Sequence, residues 1–125
     1  MQKNYKLSMD KDLFKTIDTI IRKERLYAQV NLMREDIMRR FGIGRHHLND
    51  QLNAFADGMS FPQYINSIRM EVAYDLLTNH PEKKIIEIAR EVGLTAPNFR
   101  EQFKRCYGIT PIEYRAGLIP DDEEE

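Results

Sequence analysis

The apolar residues of this chain recur every three or four positions, the period of a helix with one buried face. Leu13, Phe14, Ile17, Ile20 and Ile21 alternate in this way with Lys11, Lys15, Asp18 and Arg22, and Asp10 stands where an N-cap would open the helix. Residues 26–33 carry no clear period and read as a connection. Ile37 and Phe41 then mark a short helix stopped by Gly42, followed by a second helix with Leu48 and Leu52 inward. Tyr64, Ile65, Ile68, Val72, Ala73, Leu76 and Leu77 define a long helix that runs to Asn79-His80-Pro81. Ile85, Ile88, Ala89 and Val92 repeat the short helix before Gly93, with Phe99 and Phe103 on the helix after it. β-branched runs are short and Gly and Pro scarce, so the expected fold class is all-α.

The pattern occurs twice. Residues 37–52 align with 88–103 at an offset of 51 without a gap, pairing Ile37 with Ile88, Gly42 with Gly93, Ile43 with Leu94, Leu48 with Phe99, Gln51 with Gln102 and Leu52 with Phe103. At an offset of 50, Gly58-Met59-Ser60 parallels Gly108-Ile109-Thr110, and Tyr64 parallels Tyr114. Two copies of one supersecondary unit explain this. In each, a glycine able to adopt left-handed backbone ends a short helix, an apolar residue plugs the corner, and a second helix shows one buried and one polar face. That is the layout of a helix-turn-helix. Each copy closes on a helix start with a hydroxyl and a Gln or Glu three residues on, Ser60 with Gln63 and Thr110 with Glu113, the pattern of a reciprocal capping box.

Charge changes this reading only slightly. The net charge is −1, yet residues 121–125 hold five of the twenty acids, leaving 19 bases against 15 acids over residues 1–120. Such a surplus permits a nucleic-acid partner without requiring one. Residues 118–125 read as a solvated acidic tail. No apolar run approaches membrane-spanning length, and the N-terminus lacks a signal-peptide core, so no membrane contact by this domain is expected. A single cysteine excludes an internal disulfide and fits a cytoplasmic location. Cys106, beside the apolar stripe, is expected in the core. Phe55, Phe61, Tyr64, Phe99, Phe103, Tyr107 and Tyr114 are likewise expected in the core rather than on a base-stacking platform. His46, His47 and His80 complete no metal or acid–base cluster: His46 points outward and His47 is expected to pack, half-buried. No phosphate-binding Gly loop or activated nucleophile is present, so neither an enzyme nor a cofactor is expected.

The stretch Ile85-Ile86-Glu87-Ile88-Ala89-Arg90-Glu91-Val92-Gly93-Leu94, with Phe99, Phe103-Lys104 and Tyr107-Gly108-Ile109-Thr110-Pro111-Ile112-Glu113-Tyr114-Arg115, resembles the DNA-binding domain of AraC/XylS transcription regulators. Gly58-Met59-Ser60-Phe61 and Ile68-Arg69-Met70 with Ala73 and Leu76-Leu77 extend the resemblance over residues 10–117. It implies a bacterial regulator with about seven helices, in two homeodomain-like helix-turn-helix subdomains. These would be a first unit at about 10–60, a linker helix at about 61–78 and a second unit at about 82–117, after an N-terminal extension at 1–9. It also implies recognition helices in successive major-groove segments about 34 Å apart. Residues implied at the DNA are Arg45, His46, Asn49 and Asp50 in the first recognition helix. In the second they are Ala96, Pro97, Asn98, Arg100 and Glu101, with Lys104 and Arg105 as phosphate anchors. Lys83, Lys84, Arg34, Arg39, Arg40 and Arg69 are candidates for phosphate or for solvated surface. RNA polymerase and a sensing or dimerisation domain on a longer parent chain are further partners implied.

Three departures from the family pattern bear on function. Asp50 and Glu101 fill equivalent positions where arginine is common, Gly44 lacks the usual hydroxyl, and the turn at residues 94–98 looks one residue short. With near-neutral charge, the paired acids leave open an alternative, a helix-turn-helix module used mainly for protein contacts with weak DNA affinity.

Overall fold

The computed structural model describes residues 2–117, and the side chains of 8–117. The acidic-tail reading falls outside the described residues. Seven α-helices form within them, and no strand: α1 (Gln2–Lys23), α2 (Arg34–Phe41), α3 (Arg45–Phe55), α4 (Phe61–Asn79), α5 (Ile85–Glu91), α6 (Ala96–Tyr107) and α7 (Pro111–Arg115). A short 3₁₀ turn at Leu26–Ala28 opens the connection expected at 26–33, entered through Arg25 in left-handed backbone. The expected cap at Asp10 is corrected. Residues 2–9 contain no Gly or Pro to interrupt a helix, so α1 starts at Gln2 and Asp10 lies inside it.

The fold divides into two compact units between Asn66 and Ser67, within α4. In the first, Ile17 and Ile21 of α1, Ile37 of α2, Leu48 and Leu52 of α3 and Phe61, Tyr64 and Ile65 at the start of α4 are buried. Each such side chain contributes about 1.5–3 kcal/mol when it leaves water. Phe14 packs its ring against Phe55 and Tyr64, at 5.8 and 5.7 Å between centroids. The Tyr64 hydroxyl donates to Asp18, and Asp18 also receives Arg22 at 2.9 Å.

The second unit buries Ile68, Met70, Ala73 and Leu77 of α4, Ile88, Ala89 and Val92 around α5, Phe99 and Phe103 of α6, and Ile109. Its rings form a chain: Phe99 to Phe103, Phe103 to Tyr107 at 4.7 Å, and Tyr107 to Tyr74 and Tyr74 to Tyr114 at 5.1 Å each. Phe55, Tyr107 and Tyr114 are only half-buried, so the expectation of a wholly interior aromatic set holds for Phe61, Tyr64, Phe99 and Phe103 alone. Tyr107 keeps its hydroxyl at the margin, donating to the Met70 carbonyl at 3.2 Å. Burial raises its pKa above the ordinary tyrosine value.

Both capping boxes form. The Ser60 amide donates to Gln63 Oε1 at 2.9 Å while the Gln63 amide donates to Ser60 Oγ at 3.3 Å. Thr110 and Glu113 exchange the same bonds at 2.9 and 3.2 Å. Thr110's amide, then its hydroxyl, then the nearby Lys104 and Arg100 hold the Glu113 carboxyl below the usual carboxylate range.

Candidate nucleic-acid interface

The two helix-turn-helix corners have the same construction. α2 ends at Gly42, whose φ of 65° places it in left-handed backbone, and Ile43 and Gly44 complete the turn into α3. In the second unit Gly93 takes φ of 80°, and Leu94 and Thr95 lead into α6. From the glycine onward each turn runs three residues into the next helix, which aligns Arg45 with Ala96, His46 with Pro97 and His47 with Asn98; α5 stops one residue before its glycine, so Val92 makes the second turn four residues long. A side chain at either glycine would be strained, because only glycine enters this region freely.

The caps differ. Thr95 Oγ1 accepts the Asn98 amide at 3.3 Å, whereas Gly44 offers no side-chain acceptor to the first turn of α3. Gly44 sits in extended backbone, so α3 begins correctly, but with one bond fewer.

α3 turns Leu48, Gln51 and Leu52 inward and leaves Arg45, His46, Asn49, Asp50 and Asn53 exposed. Arg45, Asn49 and Asn53 lie one helical turn apart in a single row, with His46 and Asp50 in the row beside it. Asn53, eight positions after Arg45, was not among the candidates and continues the same exposed row. His47 does not pack half-buried: it is exposed, and its Nε2 stands 3.6 Å from Asp10 Oδ1 at the border with α1. Beneath it, Gln51 is buried and donates through Nε2 to the Asp10 carbonyl at 2.9 Å, tying α3 to α1.

α6 buries Phe99 and Phe103 and exposes Pro97, Asn98, Arg100, Glu101, Lys104 and Arg105. Ala96 is half-buried rather than exposed, because it opens the helix against the turn. Arg105 approaches Glu101 to 3.8 Å across one turn. Cys106 is exposed, which corrects its expected place in the core. The buried stripe runs Phe99, Phe103, Tyr107 at intervals of four, and Cys106 lies off it.

Several other candidate cations are engaged locally. Arg40 pairs with Glu24 through two bonds of 2.9 and 2.7 Å, and Arg39 pairs with Asp36 at 2.9 Å. Arg34 lies 3.7 Å from Glu35, and Lys83 donates to Glu91 at 2.7 Å, which raises the lysine's pKa. Arg69 is half-buried, and burial lowers its pKa. Lys84 and Lys104 are exposed and have no ion pair among the described residues. Arg115 serves the fold: its guanidinium donates to the Lys83 carbonyl and, at 2.9 Å, to the His80 carbonyl, holding the loop between α4 and α5. Among the described residues no three His, Cys, Asp or Glu side chains gather to hold a metal, and no helix is long and apolar enough to cross a membrane.

Comparison with known proteins follows the same geometry. A family model described as a helix-turn-helix domain matches residues 37–117. The uncharacterized HTH-type transcriptional regulator YisR of Bacillus subtilis is 31% identical over 93 residues, covering 71% of this chain and 32% of that protein. The chain thus spans about a third of the length of this curated relative. The C-terminal domain of the two-component response regulator yesN from Fusobacterium nucleatum superposes with a TM-score of 0.70 at 30% identity, over 83% of this chain and 98% of that one. The C-terminal domain of AraT, a response regulator from Geobacillus stearothermophilus, gives 0.71 at 26% identity over 90% of each. The chain belongs to the helix-turn-helix domain family, in its AraC/XylS type of DNA-binding transcription regulators.

Proposed function

We propose that the chain reads duplex DNA in a sequence-specific way, with α3 and α6 entering successive major-groove segments, as the output part of a transcription regulator. The observation that carries this reading is the matched pair of corners. Each sets a helix with a buried apolar face and an exposed face of hydrogen-bonding side chains after a turn built on a left-handed glycine. Arg45 and Arg100 suit guanine O6 and N7, Asn49 and Asn98 suit adenine N6 and N7, and His46 can bond a base edge or a phosphate. Ala96 and Pro97 offer apolar contact to a thymine methyl. Lys104 and Arg105 anchor the backbone of the duplex, and Lys84 is available for the same role.

The family and fold are those of DNA-binding regulators, not of enzymes, and the chain works without a catalytic centre of its own. A cytoplasmic location follows from the DNA partner. YisR is about three times longer than the matched segment, and this supports a sensing or dimerisation domain on a longer parent chain; RNA polymerase is the contact through which such a regulator would act.

Selection from a pool of random duplexes tests this. A motif of about 20 base pairs should be enriched, with affinity falling steeply as salt rises. Arg45→Ala and Asn98→Ala should each relax preference at one position by about 1–3 kcal/mol, while Lys104→Ala weakens every site alike and lowers the salt slope by about one. Equal losses from all three variants would refute these roles. A selection without any motif, alongside stable capture of one protein partner, would replace DNA reading with protein contact.

A further inference from the structure

The two units share an acid at one position and surround it differently. Glu101 has Arg105 one turn further on, 3.8 Å away, and α6 carries three cations, Arg100, Lys104 and Arg105, against this one acid. At the equivalent place after Asp50 stands Ala54, and the single arginine of α3 is Arg45, one turn and one residue back. Of the two histidines behind Asp50, His47 faces Asp10, leaving His46 as its neighbour in the row. Asp50 is exposed, and among the described residues it forms no ion pair.

A carboxylate only accepts hydrogen bonds. In the major groove guanine presents N7 and O6, and thymine presents O4 and a methyl group, so neither offers it a donor. Adenine has its N6 amino group beside the N7 acceptor, which would face the second carboxylate oxygen. Cytosine offers the N4 amino group with no acceptor beside it on that edge. A carboxylate without a compensating cation loses water on entering the groove; it is left unpaired opposite guanine or thymine, meets N6 of adenine only with the N7 acceptor against its second oxygen, and is paired without that repulsion opposite cytosine.

Resting on the duplex reading above, we propose that Asp50 is a specificity-determining residue that makes one half-site require cytosine. Glu101 at the equivalent position reads no base and instead holds Arg105 for the phosphate backbone.

Duplex selection with the full chain and with Asp50→Asn, Asp50→Ala and Glu101→Gln decides this. The wild type should enrich a motif with a cytosine column, at which each other base weakens binding about tenfold, equivalent to about 1.4 kcal/mol. Asp50→Asn should move that column to adenine, since an amide pairs with N6 and N7. Asp50→Ala should flatten it to within about twofold, and Glu101→Gln should keep every column while weakening all sites together. Because Asp50 is exposed, the melting temperatures of its variants should match that of the wild type. The proposal is overturned if the wild type enriches a motif whose columns survive both Asp50 substitutions, or if the cytosine column is lost in Glu101→Gln instead. A wild type that enriches no motif overturns the duplex reading itself, a separate and recognisable failure.

Discussion

Gly44 is the position where a single change should strengthen the first unit. Its φ of −86° and ψ of 174° are open to any residue, and a Cβ built there meets no atom within 4 Å. In Gly44→Ser, the hydroxyl would accept the amide of His47, as Thr95 accepts that of Asn98 in the second unit. The gain over glycine as an N-cap is a few tenths of a kcal/mol. That difference already contains the tighter unfolded chain, so the whole gain is a few tenths of a kcal/mol, or a rise of about 1–2 °C in Tm for a chain of this size. Gly44→Ala separates the two causes. It restricts the unfolded chain equally but is a poor cap, so it should fall below Gly44→Ser by about 1 kcal/mol. Thermal and urea unfolding followed by helical circular dichroism would measure both variants. If alanine equals or exceeds serine, the missing cap is not what limits α3, and the reasoning fails.

Two further expectations concern the second unit. Arg115→Ala should lose about 1.5–3 kcal/mol, because its charged donors leave the His80 and Lys83 carbonyls. Arg115→Lys should recover less than half of this, since an ammonium does not span both acceptors as the guanidinium fork does; full recovery in urea unfolding would count against the clamp. Glu113, whose carboxyl is held below the usual carboxylate range by Thr110, gives stability that is present above the unfolded carboxylate pKa and is lost as pH falls through the lowered folded value. Wild type should therefore lose urea resistance more steeply than Glu113→Gln below about pH 4.5, and parallel curves would remove the capping carboxylate from the account.

The corners were legible because their causes are local. A glycine at the end of each short helix, an apolar plug after it and inward positions four apart specify a turn and two helix faces without reference to distant residues. The exposure of Arg45, Asn49, Arg100 and Lys104 followed from the same period. The missing cap at Gly44 was readable too, since capping depends on residues three apart. Other placements were not legible. His47 and Gln51 both meet Asp10, 37 and 41 positions away in sequence, and Cys106 was assigned by its neighbours when only the packed stripe of Phe99, Phe103 and Tyr107 excludes it.

By itself, then, the sequence determined the helices, the repeated turn, both capping boxes and the family, all of which rest on interactions between residues a few positions apart. Tertiary structure decided the pairing of Arg40 with Glu24, sixteen positions away, and the burial of Gln51 against the α1 backbone, because both depend on how α2 and α3 are brought up to α1. The asymmetry of Asp50 and Glu101 lies between the two levels. One turn of helix supplies Arg105 to Glu101 and only Ala54 to Asp50, but the folded chain shows that no other element brings Asp50 a cation among the described residues.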